Sequence, residues 1–270
     1  MFAFLPPRNH SVTQADSRIM HGQRGVSWTV SPFYGPVELD FLVTSEAHSC
    51  PYRPGMDAVE QVFAAEAFPP ELYHDFMDIG FRRSGNYFYR PMCSSCLECR
   101  SIRVVLKEFR LSKSLRRILR KNLDVTVSID APRFSRNKYR LYQYYLHSRH
   151  AATGADSFTS VRKSLYASPV HTVEFEYRLG LRLIGAGLVD VCSRSLSSVY
   201  MFFDPDLANR SLGTFAAIQE ILFALQLNIP FYYLGFFVAD CKAMNYKARF
   251  KPHEYLDQTF VWRGSAEETW

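Results

Sequence analysis

The chain has 270 residues, 47% of them hydrophobic, with a formal net charge of +6. That is enough for one large or two small domains around a real core, which excludes a disordered chain, and the basic balance favours an anionic partner. No apolar run reaches the ~20 residues of a spanning helix, and six cysteines are too few for a disulfide scaffold of this size.

Pro6, Pro7 and Arg8 stand where a signal peptide needs its apolar stretch, so a cytoplasmic protein is expected. Residues 1–34 are polar and aperiodic, the pattern of a disordered or loosely attached extension. From Val37, VELDFLVT alternates as a strand. Cys50-Pro51-Tyr52-Arg53-Pro54 reads as a rigid loop, Asp57 as the cap of a helix through Phe63, and Pro69-Pro70-Glu71 as the start of a helix closing at Gly80.

Phe81–Pro91 is hairpin-like around Gly85-Asn86. Its Arg82, Arg83 and Arg90 interleave with Tyr87, Phe88 and Tyr89, residue types that contact phosphate and stack on bases, although the arginines could equally be solvated strand positions. Cys93, Cys96 and Cys99 follow at two-residue gaps. With Cys50 they offer four thiolates to zinc or an iron–sulfur cluster, or form a reduced buried set.

After a strand at Arg103–Lys107, Ser112 caps a helix whose Leu111, Leu115, Ile118 and Leu119 fall at helical spacing. The remaining positions hold Lys113, Arg116, Arg117, Arg120 and Lys121, with no acid between Glu108 and Asp124. Uncompensated like charge destabilises a helix unless an anion is expected, so Arg116, Arg117, Arg120 and Lys121 are read as contacts to a nucleic-acid backbone. A strand at Asp124–Ile129, a tyrosine-rich helix ending near Arg149, a polar stretch over 151–169 and three strands at Val173–Tyr177, Leu181–Val191 and Ser198–Phe203 come next. Asp204-Pro205-Asp206 is a turn. Ser211-Leu212-Gly213-Thr214 then opens an apolar helix from Phe215 to Leu227, whose unpaired first amides would meet a phosphate; an ordinary strand-turn-helix unit gives the same pattern. The chain closes with a strand at Tyr232–Phe236 and the basic, aromatic Met244–Phe250, which is also readable as a hairpin partner of that strand.

This order resembles an acyltransferase core of the GNAT type, an α/β (α+β) fold. It suggests a Cys-containing region over 35–110 and a GNAT-like aminoacyl transferase domain, basic helix included, over 111–270. The blocks Cys50-Pro51-Tyr52, Gly80–Gly85, Tyr89-Arg90-Pro91 with the three cysteines, Ser112–Asn122, Val189-Asp190-Val191, Phe203–Asp206, Ser211–Phe215 and Met244–Pro252 occur in order over 38–256. Together they resemble the bacterial aminoacyl-tRNA–protein transferases, relatives of arginyl-tRNA–protein transferase. The resemblance implies transfer of an amino acid, leucine in the short bacterial branch, from charged tRNA to the N-terminal α-amine of proteins starting with Asp or Glu, creating an N-degron degradation signal. Arginyl transfer by the same chemistry, acetyl transfer and a noncatalytic RNA-binding role are the alternatives. Arg53 departs from the aliphatic residue usual after Cys-Pro-Tyr.

The ester is already activated and a terminal amine has a pKa near ~8, so positioning supplies most of the rate and the chemistry requires no cofactor. Asp190 or Asp204 could take the amine's proton, and Tyr246 could orient the amine or the oxyanion. Ser211, Gly213 and Thr214 would seat the tRNA 3′ end. Arg82, Arg83, Lys247 and Arg249 would supply the cations for an acidic first side chain. The expected partners are aminoacyl-tRNA and such proteins, with no membrane, and the protein is expected to be a monomer.

Overall fold

The computed structural model describes residues 42–149 and 156–264. The expected extension over 1–34 and the first residues of the VELDFLVT strand lie outside them. Short strands β1 (Val43–Thr44), β2 (His48–Ser49) and β3 (Asp57–Ala58) lead into β4 (Glu60–Ala64). Asp57 therefore opens a strand rather than the expected helix. The reason is tertiary: Phe63 is buried and stacks on Phe88 at 4.8 Å, which requires β4 to pair along the neighbouring strand. Helix α1 (Pro70–Asp78) starts where its prolines predict and ends at Gly80, whose φ of 92° suits only glycine. The hairpin of β5 (Arg82–Ser84) and β6 (Tyr87–Pro91) completes a four-stranded sheet of order β1-β4-β6-β5.

The remaining elements are β7 (Arg100–Val105), α2 (Lys113–Lys121), β8 (Val125–Asp130), α3 (Arg136–Arg149) and α4 (Phe158–Val161). There follow β9 (Thr172–Leu179), β10 (Arg182–Val191), β11 (Ser195–Phe203), α5 (Leu212–Gln226), β12 (Phe231–Phe237), α6 (Lys242–Asn245), β13 (His253–Leu256) and β14 (Trp262–Gly264). They build an eight-stranded sheet of order β14-β13-β7-β12-β11-β10-β9-β8. Helix α5 packs Phe215 on Tyr177 and Phe223 on Phe175. Helix α3 sets Tyr142 against Tyr200 and Phe202. The segment after β12 is helical, α6 followed by a 3-10 turn at Tyr246–Arg249, and not the hairpin partner it resembled. Both edges of β12 are already taken, by β11 and β7.

Within this mostly antiparallel sheet β11 and β12 run parallel, and they pair only from Ser195–Phe231 to Ser197–Tyr233. Both strands then change course. Leu188 faces Tyr200 but Val189 faces Ser198, so Val199 is an extra residue in β11; Tyr233 faces Arg103 but Gly235 faces Ile102, so Leu234 is extra in β12, with Gly235 at φ 85°. Such bulges increase local twist and re-aim side chains. The two strands part here.

One ion pair fastens the smaller sheet across this region. Arg83 of β5 donates Nε to Asp190 Oδ2 at 2.8 Å and Nη2 to Oδ1 at 2.5 Å, with both side chains fully buried. Thr172 Oγ1 donates to the same carboxylate at 2.6 Å, and Arg83 Nη1 donates to the Gly85 carbonyl at 2.9 Å. Removing one partner strands the other charge. Asp190→Ala is expected to cost about 3–5 kcal/mol of unfolding free energy, read by urea denaturation, whereas the paired replacement Arg83→Met with Asp190→Leu should cost distinctly less.

Candidate active site

The parted strands open a cavity of about 50 Å³ lined by Ser197–Met201 of β11, Leu234–Phe236 of β12, Tyr73 of α1, Arg82 and Arg83 of β5, Tyr89 of β6, and by Tyr52, Met244 and Lys247. Alternation along β5 sends its two arginines to opposite fates. Arg83 is neutralised by Asp190. Arg82, also buried, donates Nη1 to the Phe81 carbonyl at 2.7 Å and lies over the Tyr233 ring at 5.0 Å, while its Nε and Nη2 have no partner. Burial lowers its pKa, yet a guanidinium holds its proton at any ordinary pH. Among the described residues no carboxylate pairs with it.

Lys247 reaches the same cavity from the turn after α6. Its Nζ donates to the Phe236 carbonyl at 2.5 Å and stands 3.6 Å from where a Cβ on Gly235 would be. Burial, and after it the Arg82 charge, push its pKa down to about 7. Beside the paired Arg83, the cavity therefore holds one obligate cation without a counter-charge among the described residues and one titrating cation. Arg249, two residues on, is exposed and does not line it.

The other expected site residues fall in two further places. Asp190 is fully occupied by Arg83 and Thr172. Asp204 is buried, accepts from Arg182 and from the Asp206 amide, and so caps the turn below β11. Tyr246 has a buried hydroxyl without a partner among the described residues, on the α5 side of the sheet and outside the cavity lining.

Ser211, Gly213 and Thr214 form the start of α5, with Ser211 in the left-handed region at φ 56°. An added Cβ at Gly213 would meet only the Phe203 ring at 3.6 Å, so protein packing does not demand a glycine there. The exposed face of α2 carries Arg116, Arg117, Arg120 and Lys121, and the fold stitches it to this helix start. Lys121 Nζ donates to the Asn209 carbonyl at 2.5 Å, Asn122 Nδ2 to the Arg210 carbonyl at 3.0 Å, and Arg210 pairs with Asp124 at 2.7 Å. The two segments expected to meet nucleic acid are thus one surface.

Cys50, Cys93, Cys96 and Cys99 line a single cavity of about 20 Å³ that shares Tyr52 and Phe236 with the larger one. Burial and the three neighbouring thiols push Cys99 up to about 12. Arg53 Nη1 lies 3.5 Å from Cys96 Sγ. Among the described residues no group of three or more His, Cys, Asp or Glu side chains is gathered as metal ligands.

Sequence reasoning missed the cavity's tyrosines, Tyr52, Tyr73 and Tyr89, and the hydroxyl of Ser198. They come from four separate elements, and only the Ser197-Ser198 pair inside an apolar strand gave a local sign. For Lys247 the depressed pKa has a stability consequence: the unfolded chain binds a proton that the folded chain does not between about pH 7 and 10. Unfolding free energy is therefore expected to climb with pH across that window relative to Lys247→Met, measured by urea titration of both proteins.

The chain matches the family described as Arginine-tRNA-protein transferase, C terminus, over residues 137–257, and its N-terminus counterpart over 48–117. It is 37% identical over 232 residues to the aspartate/glutamate leucyltransferase of Pseudoalteromonas atlantica, covering 84% of this chain and 98% of that one. It is likewise 37% identical over 224 residues to that of Pseudomonas fluorescens, covering 81% and 94%. Among solved structures, L-PGS from Bacillus licheniformis aligns at 15% identity and a TM-score of 0.43, covering 72% of this chain and 62% of that one. The match to both halves of the family and to relatives along nearly their whole length leads to one conclusion: the chain belongs to the arginine-tRNA–protein transferase family.

Proposed function

We propose that this protein is an aminoacyltransferase that moves leucine from leucyl-tRNA to the N-terminal α-amine of proteins beginning with Asp or Glu, the activity for which its relatives are named, and so marks them for N-degron degradation. The observation that carries the acceptor preference is Arg82: a buried guanidinium whose Nε and Nη2 have no partner among the described residues, beside Lys247, in a cavity whose described lining contains no carboxylate. An unpaired buried charge is costly, and a carboxylate from the acceptor's first residue supplies the missing partner with a charge-assisted bond. Arg83 and Asp190 brace the cavity wall, and Asp204 braces the turn.

The parted β11 and β12 support a GNAT-like acyltransferase core. Beyond Ser197 and Tyr233 the strands do not pair, so backbone groups along the gap are available to the reacting carbonyl. The tRNA lies along α2, with its 3′ end at the start of α5, where helix amides and four uncompensated cations favour phosphate. The four thiols line one cavity but are not gathered as ligands among the described residues, so zinc or an iron–sulfur cluster would have to draw them together. Cys50, Cys93, Cys96 and Cys99 would hold it, where it would neutralise the thiolates and brace the loops beside Tyr52.

The deciding assay offers leucyl-tRNA and arginyl-tRNA separately with peptides starting in Asp, Glu, Lys or Ala. Leucine is expected on the Asp and Glu peptides only; no transfer from either tRNA overturns the reading. Arg82→Gln should lower kcat/KM for the Asp peptide at least about 10-fold, by loss of a charged hydrogen bond worth about 1.5–3 kcal/mol, and leave tRNA affinity unchanged. Arg116→Glu with Arg120→Glu should do the reverse, weakening tRNA binding and flattening its salt dependence by one to two units of slope, about 0.9 per lost phosphate contact.

A further inference from the structure

Helix α5 contains one charged side chain, Glu220, in an otherwise apolar and amide-bearing sequence. It is 1% exposed and faces the sheet, not solvent. Tyr232 Oη of β12 donates to its Oε2 at 2.6 Å, and the Ser198 side chain of β11 lies close enough to influence both this carboxylate and Tyr232. The Glu220 carboxyl lies against Gly187 of β10, where a Cβ would stand 3.5 Å from its Oε1. The titratable groups that face it are Tyr232 from β12, Tyr177 from β9 and Tyr246 from the turn after α6, with no cation among them. A buried carboxyl with no counter-charge is expensive. Nothing in the packing of α5 calls for it, since its other sheet-facing positions are filled by apolar residues.

The Val199 bulge explains what this carboxyl can reach. Because Val199 is extra, Ser198 and Met201 both point to the α5 face, whereas strict alternation would send them to opposite faces. Ser198 therefore stands between two environments: it lines the reaction cavity, and the register puts it on the sheet face where Met201 and Glu220 meet beside Gly187.

We propose that Ser198 and Glu220 form the proton relay of the transfer reaction, with Glu220 as a positioning and proton-storing residue that acts through the Ser198 hydroxyl. This rests on the transferase reading above. The neutral α-amine attacks the ester carbonyl and forms the N–C bond. The cationic nitrogen then gives a proton to Ser198 Oγ as the serine proton passes to Glu220. When the C–O bond to the tRNA ribose breaks, the same path run backwards delivers the proton to the departing ribose oxygen, so an amide and a free tRNA hydroxyl form with no net proton change. Burial holds the Glu220 carboxyl up to about 7, where it can both take and return a proton near neutral pH.

The test is kcat and KM for leucyl transfer to an Asp-initiated peptide between pH 6 and 9, on the full chain. Glu220→Gln keeps the shape and loses the proton site. It is expected to lower kcat about 100-fold or more, with peptide KM and leucyl-tRNA affinity within about twofold, and to erase the rise in rate centred near pH 7 while keeping that of the amine near ~8. Ser198→Ala should fall to a similar level and Ser198→Thr, which retains the hydroxyl, should recover most of the rate. Glu220→Gln within about threefold of the parent with an unchanged pH profile overturns the relay. If Glu220→Gln does not fold, the serine pair decides: Ser198→Ala as active as the parent overturns it, and loss in Ala with recovery in Thr sustains it. An unmodified chain that transfers no leucine removes the transferase reading and the relay together, whereas a chain that transfers while all variants keep pace removes only the relay.

Discussion

Strands β11 and β12 are joined at three residue pairs before an extra residue on each, Val199 and Leu234, turns them apart. Parallel pairing is slightly weaker per residue than antiparallel pairing, and here it is interrupted from both sides at one level. Every backbone group that the missing ladder would have paired needs another partner. A bound carbonyl or water can supply it. The gap is held open because each strand keeps its outer neighbour, β10 beside β11 and β7 beside β12, so neither can shift to close it.

That gap would be a generic slot without the charges set around it. Arg82 and Arg83 are adjacent, and strand alternation alone separates them: Arg83 meets Asp190 and becomes structure, Arg82 meets aromatic rings and stays uncompensated. Lys247 adds a second positive group whose proton is held loosely. On the proposed reading, an acceptor with a neutral or basic first side chain would leave Arg82 unpaired, so discrimination would come as much from the unmet charge as from the met one. A site built around a buried polar group rejects analogues that cannot pair with it far more strongly than an apolar pocket rejects a change of size.

How much of this could be read from the residues depended on the range of the signal. The Ser112 cap, the α2 charge run, the Gly85-Asn86 hairpin and the Ser211–Thr214 helix start are local, and each stands where the chain text placed it. Asp57 misled because a cap-like residue before an apolar run is ambiguous when the run is short; pairing with β6 decided it. The competing reading of Met244–Phe250 as a hairpin partner of β12 fails because β11 and β7 already hold both edges of that strand. The cavity itself was illegible. It depends on two bulges, and a bulge is a register event visible only against the partner strand. Glu220 was the exception, a carboxylate inside FAAIQEILFAL, where burial could have been foreseen from the apolar residues on every side.

The same geometry separates affinity from selection. Phosphate-attracting features gather at the C-terminal end of β11, where Lys121, Asn122 and Arg210 tie the α2 cations to the turn before α5. Arg82, the proposed partner of the acceptor's carboxylate, lies instead by the gap near Ser198. From Ser198 to Phe203 is five residue steps, about 16 Å along an extended strand, a span that, on the proposed placement, the terminal nucleotide with its aminoacyl group would cross to bring the ester to the amine. A tRNA without an amino acid would then satisfy the first region and never reach the second. On this reading binding strength and chemical choice would be set by different residues gathered at the two ends of β11, and a loss at either end would leave the other intact.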